Sequence, residues 1–208
     1  MHPPPSTKIQ IHEKAMSLAD QGQFASYLRT VVEALPHPGP LYCLVGALAV
    51  NAWGRVRSTR DIDLLVLSDE PSRVQVTDSF RARGFQLDVA WTEQNPMAKN
   101  RVVRLKHASY PGIPLDLMLS ADSHEESALS RRKSLQLLGV LVWICGPEDL
   151  ILMKLKASRP HDFEDALGIV KNPHLELDLT YLWSWADRLG LQGELHYVLQ
   201  VASGQGGG

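Results

Sequence analysis

The stretch "LYCLVGALAVNAWGRVRSTRDIDLLVL", residues 41–67, constrains the fold more than any other part of the chain. It holds two apolar runs, "LYCLV" and "DIDLLVL", each too short for a stable helix and bounded by turn-forming residues, which is how buried strands read. Between them, "GALAVNAW" opens on Gly46 and closes before Gly54, the pattern of a short helix with a glycine terminator. A strand, a brief helix and a second strand commit the chain to an α/β (α+β) architecture built on a mixed sheet.

The flanking sequence extends this plan. Residues 8–35 have helical periodicity, with Phe24, Leu28, Val31, Val32 and Leu35 on one face, and "PHPGP" ends the helix. "PSRVQVTDSFRARG" reads as a helix with Pro71 in its first turn and Gly84 at its end. "RVVRLKH" and "IPLDLMLS" read as strands, and "SLQLLGVLVWIC" as a further strand or a hairpin around Gly139. From "GPEDLILMKLKAS" onward the character is helical, through "DFEDALGIV" and "DLTYLWSWADRLGL" to "ELHYVLQVA". The expected divisions are an N-terminal helical segment (1–40), a core (41–146), a C-terminal helical segment (147–202) and a flexible tail (203–208). No internal repeat is visible.

Composition narrows the function classes. A net charge of −2 argues against a generally basic protein that coats nucleic acid, although local basic groups occur at Arg101, Arg104 and Lys106 and at Arg131, Arg132 and Lys133. The 2 cysteines, Cys43 and Cys145, each sit in an apolar strand-like run, which points to buried thiols in a reducing compartment. No spaced Cys/His set suggests structural zinc. The start "MHPPPSTK" lacks an apolar signal region, and no long apolar span suggests a membrane helix, so a cytoplasmic protein with no membrane partner is expected.

The chemistry gathers at Asp61 and Asp63. In a strand, alternate residues project from one face, spaced roughly 6.5 Å along the chain. The two carboxylates therefore lean toward one place and repel unless a cation joins them, and Mg2+ suits such oxygen ligands. Gly46 opens a helix just before the pair, where backbone N–H groups attract phosphate. "RVRSTR" brings Arg57 and Arg60 beside the pair, and Asp116 sits between Leu115 and Leu117 on a later strand.

Taken together, these residues resemble the nucleotidyltransferase superfamily that shares its catalytic fold with DNA polymerase β. The family pattern appears as Gly46-Ala47, Asp61-Ile62-Asp63 and Asp116. Together with "GPEDLILMKLKASRPHDFEDAL", the match resembles the bacterial branch that contains the abortive-infection nucleotidyltransferase toxins. That branch's lysine, arginine and paired aspartates fall on Lys154, Arg159, Asp162 and Asp165.

The resemblance implies a nucleotidyltransferase core and transfer of a nucleoside monophosphate from NTP to a hydroxyl acceptor. Asp61, Asp63 and Asp116 would be the catalytic acids and would hold two Mg2+ ions, with Mn2+ as a substitute. Gly46, Ala47, Arg57, Arg60 and Lys154 would bind the nucleotide, and Arg159, Asp162 and Asp165 the substrate. The implied partners are NTP, an acceptor that is RNA, protein or a small hydroxylated molecule, and an antitoxin protein.

The residues keep alternatives open. The family's second motif position is usually Ser or Gly, and Ala47 has no hydroxyl for phosphate, which raises the alternative of a weakly active nucleotide-binding or regulatory protein. Asp162 with Asp165 also reads as a helix cap with an acid three residues on. Lys154 also reads as a surface lysine. His161 reads as a proton shuttle or as incidental, and Trp183 and Trp185 as packing residues.

Overall fold

A computed structural model describes residues 18–54, 57–98 and 100–204. Seven strands form one mixed sheet: β1 (Tyr42–Leu44), β2 (Ile62–Val66), β3 (Phe85–Leu87), β4 (Val102–His107), β5 (Leu115–Leu119), β6 (Lys133–Leu137) and β7 (Val140–Ile144). Their order is β3-β4-β5-β2-β1-β7-β6, and β2 with β5 and β1 with β7 run parallel while all other pairs are antiparallel. The helices are α1 (Leu18–Ala34), α2 (Gly46–Trp53), α3 (Glu70–Ala82), α4 (Val89–Gln94), α5 (Ser123–Ser130), α6 (Pro147–Ala157), α7 (Pro160–Val170), α8 (Leu179–Leu189) and α9 (Gln192–Ala202). The architecture is the expected α/β mixed sheet flanked by helices.

The buried runs explain the central strands. Ile62, Leu64, Leu65 and Val66 are buried on both faces of β2, as expected of a strand whose neighbours on both sides are covered by helices. On α1, Phe24, Leu28 and Val31 are buried as their spacing implies, Val32 is half-buried, Leu35 is buried just past the helix end, and Tyr27 joins the buried face. That helix is described from Leu18 to Ala34, and residues 8–17 of the expected helix lie outside the described residues. The "SLQLLGVLVWIC" stretch resolves to a hairpin: Leu137 pairs with Val140, and both turn residues take positive φ, Leu138 at 50° and Gly139 at 74°. Cys43 and Cys145 are free and buried.

Three short elements depart from the sequence reading. β3 has only Phe85 buried and forms the sheet edge, while α4 buries no residue, so neither carries a strong apolar signal. α5 does carry a readable signal, the Asp-x-x-Glu of a cap: the Asp122 carboxylate accepts from the Glu125 N–H at 3.0 Å.

The C-terminal helices bear directly on the segment before β2. The Trp53 indole N–H, at the end of α2, donates to the Cys145 carbonyl at 2.7 Å, and the Asn172 amide donates to the Trp53 carbonyl at 2.6 Å. Among the described residues, no helix is long and apolar enough to cross a membrane.

Candidate active site

Sheet register brings the acids together. Asp63 on β2 lies opposite Asp116 on β5, and Asp116 lies opposite Arg104 on β4. Asp61 stands just ahead of β2, held by the Thr59 hydroxyl, which donates to its carboxylate at 2.8 Å. The loop before it is clasped by one side chain: the Asn51 amide donates to the Arg57 carbonyl, and the Arg57 N–H donates to the Asn51 amide oxygen, both at 2.9 Å.

Gly46 makes this packing possible. The Val45 N–H donates to the Asp63 carbonyl at 3.0 Å, which extends the β1–β2 ladder to the point where α2 begins. Gly46 then turns the chain at φ 61°, and a Cβ there would stand 1.9 Å from Oδ2 of Asp63. Only glycine tolerates both the left-handed backbone and the contact. No side chain caps α2, so its first amides are left for solvent or a ligand.

Asp63 is the most perturbed acid of this group. Burial, then repulsion from Asp61 and Asp116, push its carboxyl from 3.8 up to about 7, against the opposing pull of Lys154 and Arg104. Among the described residues, none forms a hydrogen bond or ion pair with its carboxylate. Asp116 is in the opposite situation. Arg104 grips it with both arms of its guanidinium, Nε to Oδ1 at 2.7 Å and Nη2 to Oδ2 at 2.6 Å. That bond holds the Arg104 charge above its ordinary range, and the same guanidinium stacks 4.4 Å over the Trp91 ring.

A second ionic knot lies on α6 and α7. Lys154 is nearly buried, and its ammonium bridges Asp162 at 3.0 Å and Asp165 at 2.9 Å, so it is not the free surface lysine of the alternative reading. Arg159 reaches Asp162 at 2.6 Å, and Arg57 meets both oxygens of Asp165 at 3.1 Å. Burial opposes charge on Asp162, but the hydrogen bonds from Arg159 and Lys154 outweigh it and hold its carboxyl below the usual range. The capping reading is corrected: α7 begins at Pro160 with Arg159 as its cap residue, no side chain caps it, and Asp162 is spent on cations.

A cleft of about 620 Å³ collects most of these groups, a size suited to a small-molecule site. Gly46, Ala47, Arg57, Asp61, Asp63, Asp116, Lys154, Arg159 and Asp162 line it, and His161 stands at its edge. Asp165 is fully buried behind the wall, and Arg60 is exposed and outside the lining. Trp183 and Trp185 are on α8 and do not line the cleft. Trp91, Arg101, Arg104, Glu125 and Lys156 also line it. The sequence marks Arg101 and Arg104 only as local basic groups, whereas strand alternation across "RVVRLKH" against "IPLDLMLS" was the signal that could have paired Arg104 with Asp116.

Among the described residues, the carboxylates of Asp61 and Asp63 form no ion pair, and two such oxygen donors fit a hard divalent cation. Among the described residues, no group of three or more His, Cys, Asp or Glu side chains is placed to hold a metal ion. Asp116 has both oxygens on Arg104.

No family model matches the chain, and no curated protein matches it significantly. Solved structures similar to it include the JHP933 protein of Helicobacter pylori, at 15% identity and TM-score 0.47, covering 90% of this chain and 83% of that one. The lincosamide antibiotic adenylyltransferase LnuA, with lincomycin bound, is similar at 16% identity and TM-score 0.44, covering 71% of this chain and 96% of that one. ANT(2")-Ia, in complex with adenylyl-2"-tobramycin, is similar at 13% identity and TM-score 0.44, covering 88% of this chain and 98% of that one. These likenesses are too distant to say what this chain binds or does.

Proposed function

We propose that this chain is a nucleotidyltransferase that moves a nucleoside monophosphate from an NTP to a hydroxyl-bearing acceptor and releases pyrophosphate. The observation that carries this reading is the contact between the start of α2 and the Asp63 carboxylate, so close that a single methyl on Gly46 would collide. An uncapped helix start attracts phosphate, and the two carboxylates beside it attract a divalent cation. A metal-bound triphosphate satisfies both at once.

In this reading Asp61 and Asp63 hold Mg2+, or Mn2+ in its place. When bound, such a cation draws the phosphate oxygens into place and offsets the charge of the in-line displacement. The amides of Gly46 and Ala47 bind phosphate oxygens. Lys154 stands at the cleft wall, where Asp162 and Asp165 hold its ammonium. Arg159, with its side chain 62% exposed, is the cation most able to swing toward the triphosphate. Asp116 would take the acceptor's proton on a carboxylate that Arg104 already engages through both oxygens.

A second reading, a nucleotide-binding protein that turns over slowly, is favoured by Ala47, which brings a methyl and no hydroxyl to the helix start. The test uses NTPs labelled at the α-phosphate, Mg2+, and separate pools of RNA, protein and small hydroxyl compounds. Label entering one pool with wild type, and not with Asp61→Ala/Asp63→Ala, is expected. Label in RNA or protein fits a toxin with an antitoxin partner, and label in a small compound fits a modifying enzyme. Tight NTP binding without transfer selects the second reading, and neither binding nor transfer refutes both.

A further inference from the structure

Charge at the sheet end can be followed group by group. Three carboxylates converge there: Asp61, Asp63 and Asp116. One of them is already matched. The Arg104–Asp116 pair is a bidentate fork set by strand register, with the side chains only 21% and 10% exposed. A fork of this kind is among the strongest charge-assisted contacts a carboxylate makes. The guanidinium also meets the face of the Trp91 ring, and the Trp91 backbone N–H donates to the Asp88 carboxylate at 3.3 Å in the cap of α4. Arg104 is thereby held in the plane of Asp116 by three elements: β4, β5 and α4.

Among the described residues, Asp61 and Asp63 then remain without an ion-pair partner, a charge that a single divalent ion neutralises. A second ion on Asp116 would share that carboxylate with Arg104 and set added positive charge beside its guanidinium. The nucleotide changes this balance only by bringing its own charge and its own cation with the triphosphate.

We infer that Arg104 is the resident counter-ion of Asp116, so that the nucleotide-free protein binds one divalent cation, on Asp61 and Asp63, and Asp116 is not a ligand to it. Arg104 is a positioning residue that sets the metal count of the site. This inference rests on the metal-site reading of Asp61 and Asp63.

The test is Mn2+ binding to the full chain without nucleotide, with free ion followed by electron paramagnetic resonance. Wild type binds one Mn2+ per chain. Asp116→Asn keeps that site, with affinity changed by less than about tenfold, the smallest loss usual for a group that supports a metal. Arg104→Gln frees Asp116 and gains a second, weaker Mn2+, while circular dichroism confirms that the variant is folded. Arg104→Lys, which keeps a charge but not the fork, stays at one ion. Two ions on wild type, or a loss well beyond tenfold in Asp116→Asn, overturns the inference and leaves the metal-site reading standing. No Mn2+ on wild type overturns that reading itself.

Discussion

Replacing Asp63 with Asn isolates the electrostatic cost of the acid pair. The folded protein holds the Asp63 proton up to about pH 7, whereas the unfolded chain releases it near 3.8. Across that interval the folded state binds a proton that the unfolded state has lost, so stability is present in full below about pH 4 and is lost as pH rises through 7. At ~1.4 kcal/mol per pH unit, the loss for metal-free protein is a few kcal/mol, about 4 as an upper figure. The assay is urea unfolding in a chelator at pH 5 and pH 8, for wild type and Asp63→Asn. Wild type should lose on the order of 2–3 kcal/mol more than the variant between these two pH values. Mg2+ added at pH 8 should restore part of it, because a cation bound to the folded state stabilises by mass action. Equal pH dependence in wild type and Asp63→Asn would refute the reasoning.

Two other substitutions test the supporting geometry. Gly46→Ala places a Cβ at φ 61° and 1.9 Å from Asp63 Oδ2, and it should cost at least about 1–3 kcal/mol in urea unfolding and weaken NTP binding measured by calorimetry. Unchanged values would show that the helix start does not abut Asp63. Asp165→Ala leaves Arg57 without its buried partner and Lys154 with Asp162 alone. It should destabilise by about 3–5 kcal/mol, whereas a loss below about 1 kcal/mol would mean that the knot is not formed in solution.

What the sequence made legible follows from local physics. β2 and β5 announce themselves because residues such as Ile62, Leu64, Leu115 and Leu117 are buried in short, bounded runs. The turn at Gly46 and the i, i+2 spacing of the acid pair were readable because both are local properties, whereas their meeting depends on the β1–β2 pairing. The partners were less readable. Arg104 meets Asp116 across a hairpin whose register depends on the loop between β4 and β5, and Lys154 meets Asp165 across the turn between two helices. Asp162 reads as a cap from its neighbours alone, and only the arrival of Lys154 and Arg159 shows what its carboxylate does. α4 and β3 stay obscure because almost nothing in them is buried, so the Trp91 they place over Arg104 has no signature of its own.

The central claim is transfer of a nucleotidyl group at the Asp61–Asp63 end of the sheet. The direct measurement follows parallel reactions with NTP labelled at the α-phosphate or at the γ-phosphate, in the acceptor pool that the protein uses. The account predicts α-label in the acceptor and γ-label in pyrophosphate, both abolished in Asp61→Asn/Asp63→Asn. Label from the γ-phosphate in the acceptor, or α-label transfer that survives the double substitution, would contradict it.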